Sequence, residues 1–135
     1  AKYSRLAKSI YAQYTDMVES FGLDECWLDV TGSTRLFGGG REIAEEIRLR
    51  IREELGLTVS VGVSFNKIFA KLGSDYRKPD AVTEITRENF REIVWPLDAG
   101  ALLFVGKSTQ AALRKYGLRT IGDVGQADRR LLRRV

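Results

Sequence analysis

Apolar side chains at Tyr3, Leu6, Ile10, Tyr14 and Met17 recur every three or four residues, the spacing of one helical face, and predict a helix over residues 3–16. Two short runs follow, 17–21 and 26–31, rich in aromatic and β-forming residues and separated by a segment containing Gly22, which predicts a hairpin. The clearest helix spans 41–55, with Ile43, Ala44, Ile47, Ile51 and Leu55 on one face, Glu46 and Arg50 as an i,i+4 pair, and Gly56 as its stop. In 58–64 valines alternate strictly with small residues, predicting a strand packed on helices by its valine side, with a smooth second face open to a ligand. A short amphipathic helix over 66–76, with Ile68, Phe69 and Leu72 inward, a strand over 81–86 and a helix over 87–94 complete this part before Pro96 breaks the pattern. A last helix is expected over 107–116, opened by a turn at Gly106 and stopped by Gly117, with Thr120 capping a second short one.

The pattern predicts an α+β fold: an antiparallel sheet with helices 3–16 and 41–55 on one face, followed by a small helical, helix-hairpin-helix-like subdomain. The expected division is 1–85 and 86–135.

Composition narrows the chemistry. With 44% apolar residues, 135 residues sustain a core, and no apolar run approaches the roughly 18 residues of a membrane span. The opening Ala-Lys-Tyr-Ser-Arg leads into no signal-peptide apolar region, so a cytoplasmic protein without membrane contact is expected. A single cysteine, Cys26, forms no internal disulfide, and there is no histidine. Any metal would therefore be held by carboxylates, which favours a hard ion such as magnesium or manganese. Charge is uneven: residues 86–135 hold ten Lys or Arg against five Asp or Glu, a net +5, whereas 1–85 net −1. A basic end beside a nearly neutral body suggests a polyanionic partner.

Asp24 and Glu25 are the candidate chemistry. Two adjacent carboxylates in a β-forming run point to opposite sides of a regular strand, but at the tip of a hairpin both can face one divalent ion. Acidic turns are also common simply because they solvate well, so the pair alone does not decide. Lys67, Lys71 and Lys78 crowd the next segment, and Pro79 disfavours helical backbone at Lys78, placing that lysine in an extended loop. Gly38, Gly39 and Gly40 read as a flexible connection, since no strand feeds them and no lysine follows at P-loop spacing. Gly106-Lys107-Ser108 nearly completes a Walker A loop, but that pattern needs glycine at 101, where alanine stands, and the intervening Leu-Leu-Phe-Val is bulky. A hairpin between two helices, with Lys107, Arg114 and Lys115 nearby, instead suits DNA phosphates held without sequence readout.

With these residues assembled, the chain resembles the palm and thumb of the Y-family, or translesion, DNA polymerases. Phe21-Gly22-Leu23-Asp24-Glu25-Cys26-Trp27-Leu28-Asp29 is similar to the family's Ser-Ile-Asp-Glu-Ala-Tyr-Leu-Asp motif. Residues 57–79 are similar to its strand followed by Asn-Lys-x-x-Ala-Lys and Lys-Pro. Residues 104–124 are similar to its Gly-Val-Gly-x-x-Thr and Gly-Ile-x-Thr-Ile-Gly-Asp segment.

The resemblance implies a palm at 1–85 and a thumb at 86–135, both partial. It implies Asp24 and Glu25 as catalytic ligands of two Mg2+ ions, Lys78 on the triphosphate of the incoming deoxynucleotide, and Gly106, Lys107 and Thr109 on the DNA backbone. The partners it implies are primer–template DNA, a deoxynucleoside triphosphate and, through an absent C-terminal part, a sliding clamp; the role is DNA repair and damage tolerance. Three positions depart from the family pattern: Gly22 replaces a serine, Ala81 a glycine after Lys-Pro, and Phe104 the first glycine of the thumb hairpin. The family's first metal-binding aspartate, its fingers and its little finger have no counterpart, so the chain is expected to be a fragment inactive by itself.

Two other readings share some of these residues. The hairpin acids, the helix over 41–55 and the strand over 58–64 are also similar to diguanylate cyclases of the GGDEF class, though no Gly-Gly precedes the acids and a cyclase needs no basic helical end. A non-catalytic DNA-binding module that kept the palm shape is the third reading.

Overall fold

A computed structural model describes residues 2–21, 24–102 and 105–126. The chain divides into two compact units, residues 1–84 and 85–135.

In the first unit, helix α1 (Lys2–Tyr11) leads into strand β1 (Val18–Phe21), which pairs antiparallel with β2 (Glu25–Leu28). A 3-10 turn (Thr31–Ser33) and the short α2 (Thr34–Phe37) precede α3 (Gly40–Arg50), whose last stretch, Ile51–Leu55, widens into a π-helical turn. Strand β3 (Ser60–Val63), helix α4 (Lys67–Tyr76) and strand β4 (Ala81–Glu84) complete the unit.

The apolar stripes read from the sequence form its core. Ile10 and Tyr14 pack with Ile43, Ile47 and Ile51, and Leu28, Val30, Leu55 and Val59 close around them. Thus α1 and α3 meet on one side, as their periodicities require. Gly56 ends the long helix at φ 67°, in the left-handed conformation that costs glycine little. The helix bounds differ from prediction: α1 and α3 each start one residue earlier, at Lys2 and Gly40, and α1 ends early, at Tyr11, followed by a turn through Tyr14, which is still buried in the core. Arg50 pairs with Glu54 at 2.6 Å and also reaches Gln13 at 2.9 Å, so the expected partner Glu46 is replaced by one a turn further on.

The α+β class stands, but one strand pair runs differently from expectation. β3 and β4 are parallel, with Ser60 opposite Ala81 and Val63 opposite Glu84. The cause is α4, which crosses over between them: a parallel pair needs a long crossover connection, usually a helix, to bring the chain back to run in the same direction. The small-residue side of β3 is not open either. A Cβ built on Gly62 would lie 1.8 Å from the Ala70 carbonyl oxygen and 2.6 Å from the Ser74 nitrogen, so α4 lies directly on the strand backbone there. Leu72 is buried on α4 as expected, while Ile68 is 40% exposed and does not join the core.

The second unit consists of α5 (Phe90–Ile93), a 3-10 turn (Ala99–Ala101), α6 (Lys107–Lys115) and α7 (Ile121–Gln126), and Ala99, Leu113 and Leu118 form a core there with Val105 and Val124 packed against them. Helix α5 covers only the end of the 87–94 prediction; residues 87–89 form a turn, tied by Thr86 N–H donating to Asn89 Oδ1 at 2.7 Å and Asn89 N–H donating to Thr86 Oγ1 at 3.1 Å. The α6–α7 connection follows the expected chemistry. Gly117, at φ 77°, donates to Arg114 and Leu118 donates to Leu113, the paired bonds of a glycine-terminated helix end. Thr120 and Asp123 then cap α7 reciprocally: Asp123 N–H donates to Thr120 Oγ1, and Asp123 Oδ2 accepts from Thr120 and Arg119, all at 3.0 Å. No helix among the described residues is long and apolar enough to cross a membrane.

The cap carries a pH prediction. Backbone bonds from Thr120 and Arg119 hold the Asp123 pKa below the ordinary aspartate value of about 3.9. A lowered folded-state pKa contributes stability above the unfolded-state value and loses it as pH falls through the folded-state value. Thermal melts of the chain and of Asp123→Ala are therefore expected to differ most near neutral pH and to converge as the pH drops below 4. A gap of constant size across that range would mean that the charge of the cap contributes nothing.

Candidate functional site

The hairpin register decides where the acids lie. Phe21 stands opposite Glu25 and Glu19 opposite Trp27, so these four share one face, while Ser20 and Cys26 share the other. Phe21 and Trp27 stack diagonally, ring centroids 3.8 Å apart, which pins the register next to the acids. Asp24 sits in the turn, exposed, and Glu25 is the first residue of β2. The expected Gly22 and Leu23 part of the turn lies outside the described residues, as do Leu103 and Phe104 of the thumb-like segment.

Helix α4 brings cations to that face. Asn66 caps its start, accepting from Phe69 N–H at 2.7 Å, and so fixes the positions of Lys67 and Lys71 one turn apart. Lys67 pairs with Glu19 and lies 5.3 Å from the Trp27 ring centroid, while the Trp27 indole N–H donates to the Lys67 carbonyl at 3.0 Å. Lys71 reaches Glu25 at 2.7 Å and Asp75 at 2.9 Å, and its side chain is only 15% exposed. Burial alone would lower the Lys71 pKa, but its bonds to Asp75 and Glu25 outweigh that and hold the ammonium above its ordinary value. Burial likewise pushes the Asp75 carboxyl up, and Lys71 and Lys78 prevail, leaving it below the usual range.

Lys78 stands in the extended loop that Pro79 predicted, with its ammonium 3.0 Å from Asp75. The Lys78–Pro79 peptide bond is cis. Asp24, Glu25, Lys71, Lys78, Pro79 and Asp80 all line one cleft of about 450 Å³, which also runs along β2 and β3 over Ile43 and Ile47. The first unit thus brings the predicted residues Asp24, Glu25 and Lys78 to a single opening. Local sequence reading noticed the lysine cluster but missed Asp75, which bridges two of its members; its spacing of four from Lys71 on a helix was the available signal.

The donor set suits a hard divalent ion. Asp24 and Glu25 offer carboxylate oxygens beside open solvent, and magnesium is commonly held by one or two carboxylates with phosphates and water completing its shell. Among the described residues no group of three or more His, Cys, Asp or Glu is gathered for a metal. Asp29 is otherwise engaged: its Oδ1 accepts from Thr31 N–H at 3.1 Å and ends the β2 strand.

In the second unit, Gly106 is the N-cap of α6, with extended backbone, and Lys107 and Thr109 lie in the first turn. Gly106 and Lys107 are exposed, and Thr109 is half-buried. The first-turn amides of a helix have no partner within it, so this end of α6 presents N–H groups and a lysine together. At the other end of the helix, Arg114 lies 3.7 Å from Asp98.

Comparison with known proteins places this geometry. The pattern that defines the impB/mucB/samB family matches residues 1–75. DNA polymerase IV of Acetivibrio thermocellus is 63% identical over 123 residues, covering 91% of this chain and 31% of that protein. DNA polymerase IV of Ralstonia nicotianae is 47% identical over 126 residues, covering 91% and 35%. The chain thus spans about a third of the length of these relatives. Among solved structures, DinB from Sulfolobus solfataricus matches 99% of the chain and 40% of its own length with a TM-score of 0.83 at 27% identity. A Y-family DNA polymerase chimera of Dbh and Dpo4 matches 98% of the chain and 39% of its own, with a TM-score of 0.85 at 28% identity.

Proposed function

We propose, since this chain belongs to the impB/mucB/samB family of Y-family DNA polymerases, that it forms part of the palm and thumb of a translesion DNA-directed DNA polymerase. The observation that carries the proposal is the hairpin acid pair facing Lys71 and Lys78 across one cleft. In this reading residues 1–85 are the palm part and 86–135 the thumb part, and the parent protein serves DNA repair and damage tolerance.

Asp24 and Glu25 would hold Mg2+, which when bound supplies charge stabilisation to the transferring phosphate and to the entering and leaving oxygens. The remaining tasks belong to the chain. Lys71 holds Glu25 in place through its 2.7 Å bond, so the carboxylate does not have to be ordered anew with each substrate. Lys78, a compact charge on a flexible stem, would leave Asp75 for the triphosphate of the incoming deoxynucleotide. The primer 3′-hydroxyl would then attack the α-phosphate in line with the departing pyrophosphate. Gly106, Lys107 and Thr109 would grip the DNA backbone by amide and ammonium contacts that carry no sequence information. A sliding clamp would engage through parts of the parent protein beyond this chain, and the parent would act in the cytoplasm.

The net +5 of residues 86–135 gives the direct test of the DNA assignment. Neutralising even three phosphates predicts a slope of about −3 when log affinity for primer–template DNA is plotted against log salt. Titration at several salt concentrations measures it. A slope near zero, or strong preference for one sequence, would contradict the assignment.

A further inference from the structure

Asp80 is the one described non-glycine residue with positive φ, at 54°, a backbone conformation that costs an L-residue free energy unless its surroundings hold it there. Its surroundings do. The Asp80 carboxylate is 19% exposed and receives two guanidinium groups: Arg48 Nη1 at 3.0 Å from Oδ1 and Arg52 Nη1 at 3.1 Å from Oδ2. Both arginines belong to the long helix, Arg48 in α3 and Arg52 in its π-helical extension, 32 and 28 residues earlier in the chain. Arg48 is itself fixed by Glu45 at 2.9 Å and is 18% exposed, so the anchor on the helix side is ordered before it meets Asp80. Two residues back along the chain, Lys78 is tied to Asp75 at the end of α4.

The loop that carries Lys78 is thus held at both ends by charge, to α4 through Asp75 and to α3 through Asp80. The two attachments differ in kind. The Asp75 contact engages the lysine ammonium itself and must break if that ammonium is to meet a phosphate. The Asp80 contacts engage no atom of Lys78 and survive such a rearrangement, so they fix where the lysine starts from while leaving its head group available.

We infer that Asp80, clamped by Arg48 and Arg52, is a positioning residue that holds the Lys78 loop over the cleft and thereby sets affinity for the triphosphate of the incoming nucleotide. The inference rests on the proposed role of Lys78. A positioning role acts on nucleotide binding more than on the chemical step, because the carboxylates that face the reacting phosphate are on the other side of the cleft, on the β1–β2 hairpin. It is also a role for the charge and not for the turn alone, since glycine or asparagine accepts the same backbone angles without strain.

The test uses a chimaera in which this chain replaces the matching segment of the Acetivibrio thermocellus polymerase, with single-nucleotide incorporation on primer–template DNA as the assay. Five variants are compared: Asp80→Gly, Asp80→Asn, the double variant Arg48→Met with Arg52→Met, the double variant Arg48→Lys with Arg52→Lys, and Lys78→Ala. Lys78→Ala is expected to raise the nucleotide KM about tenfold or more, as loss of a charge-assisted contact does. The two Asp80 variants and the double arginine variant are expected to raise it about three- to tenfold, with kcat and DNA affinity within about twofold of the parent chimaera. Replacing both arginines by lysine keeps the charge and is expected to restore most of the loss. If Lys78→Ala raises KM but Asp80→Gly and Asp80→Asn behave as the parent, Asp80 is only a turn residue and the inference is overturned. If the variants lower kcat and leave KM unchanged, it is overturned as well. If Lys78→Ala itself leaves KM unchanged, the role of Lys78 fails and the inference falls with it.

Discussion

Gly62→Ala is expected to lower the melting temperature of the chain by about 10–20 °C or to prevent cooperative folding altogether. Glycine in a strand usually reads as a weakness, because it adds chain entropy and buries no side chain. Here it is a point of closest approach. The missing Cβ would fall 1.8 Å from the Ala70 carbonyl oxygen, and that oxygen belongs to the backbone of α4, which cannot swing aside as a side chain can. Either α4 lifts from β3 or β3 leaves its pairing with β4. Overpacking of this kind costs about 3 kcal/mol or more, a large share of the 5–15 kcal/mol that hold a domain together. In a unit of this size each kcal/mol moves the midpoint by about 4–8 °C. Gly32→Ala is the control, since an added Cβ there meets nothing within 4 Å. Circular dichroism melts of both variants measure the difference; equal melting temperatures would show that the β3–α4 contact yields without cost.

The same contact marks where the sequence stopped being legible. The alternation of valine with small residues over 58–64 does identify a strand, and the stripe Ile43, Ile47, Ile51 does identify the helix face that joins Ile10 and Tyr14 in the core. Periodicity reports which side of an element is apolar. It does not report what covers the other side, and at Gly62 the residue is small because α4 lies against the strand there. The direction of β4 has a sequence signal of its own, since a helix of ten residues between two strands is the usual crossover of a parallel pair. The capping residues were read correctly because their chemistry is local, as at Gly56, Gly117 and Thr120. The ion pair between Arg48 and Asp80 is not legible in this way, because the two are 32 residues apart and no local pattern links them. For the site, the acid pair and Lys78 stood out by residue type and spacing, whereas the Lys71 bond to Glu25 depends on how α4 crosses the hairpin face.

The second large effect is expected at the acids. Asp24 and Glu25 differ in their surroundings: Asp24 is exposed in the turn, and Glu25 is held by Lys71 at the start of β2. In the proposed reading, removing either carboxylate would take away an oxygen ligand of the Mg2+ that stabilises charge on the transferring phosphate, and that stabilisation supplies much of the rate. Asp24→Ala and Glu25→Ala in the chimaera are each expected to slow nucleotide incorporation by about 10²- to 10³-fold. Folding should change little, since neither side chain belongs to the core. Glu25→Ala also leaves Lys71 with Asp75 alone, so Glu25→Gln, which keeps a hydrogen-bond acceptor for Lys71 but not the charge, separates loss of the carboxylate charge from loss of the contact that holds the side chain in place.

In the proposed function the hairpin acids are catalytic metal ligands and not a solvated turn. The most direct measurement is the single-turnover rate of primer extension by the chimaera carrying Asp24→Ala, Glu25→Ala or Glu25→Gln, at saturating nucleotide and with primer–template binding measured alongside. All three variants are expected to bind DNA as tightly as the parent chimaera and to extend it at least about 100-fold more slowly. Extension by Asp24→Ala or Glu25→Ala at near the parental rate, in a protein that folds normally, would contradict that role.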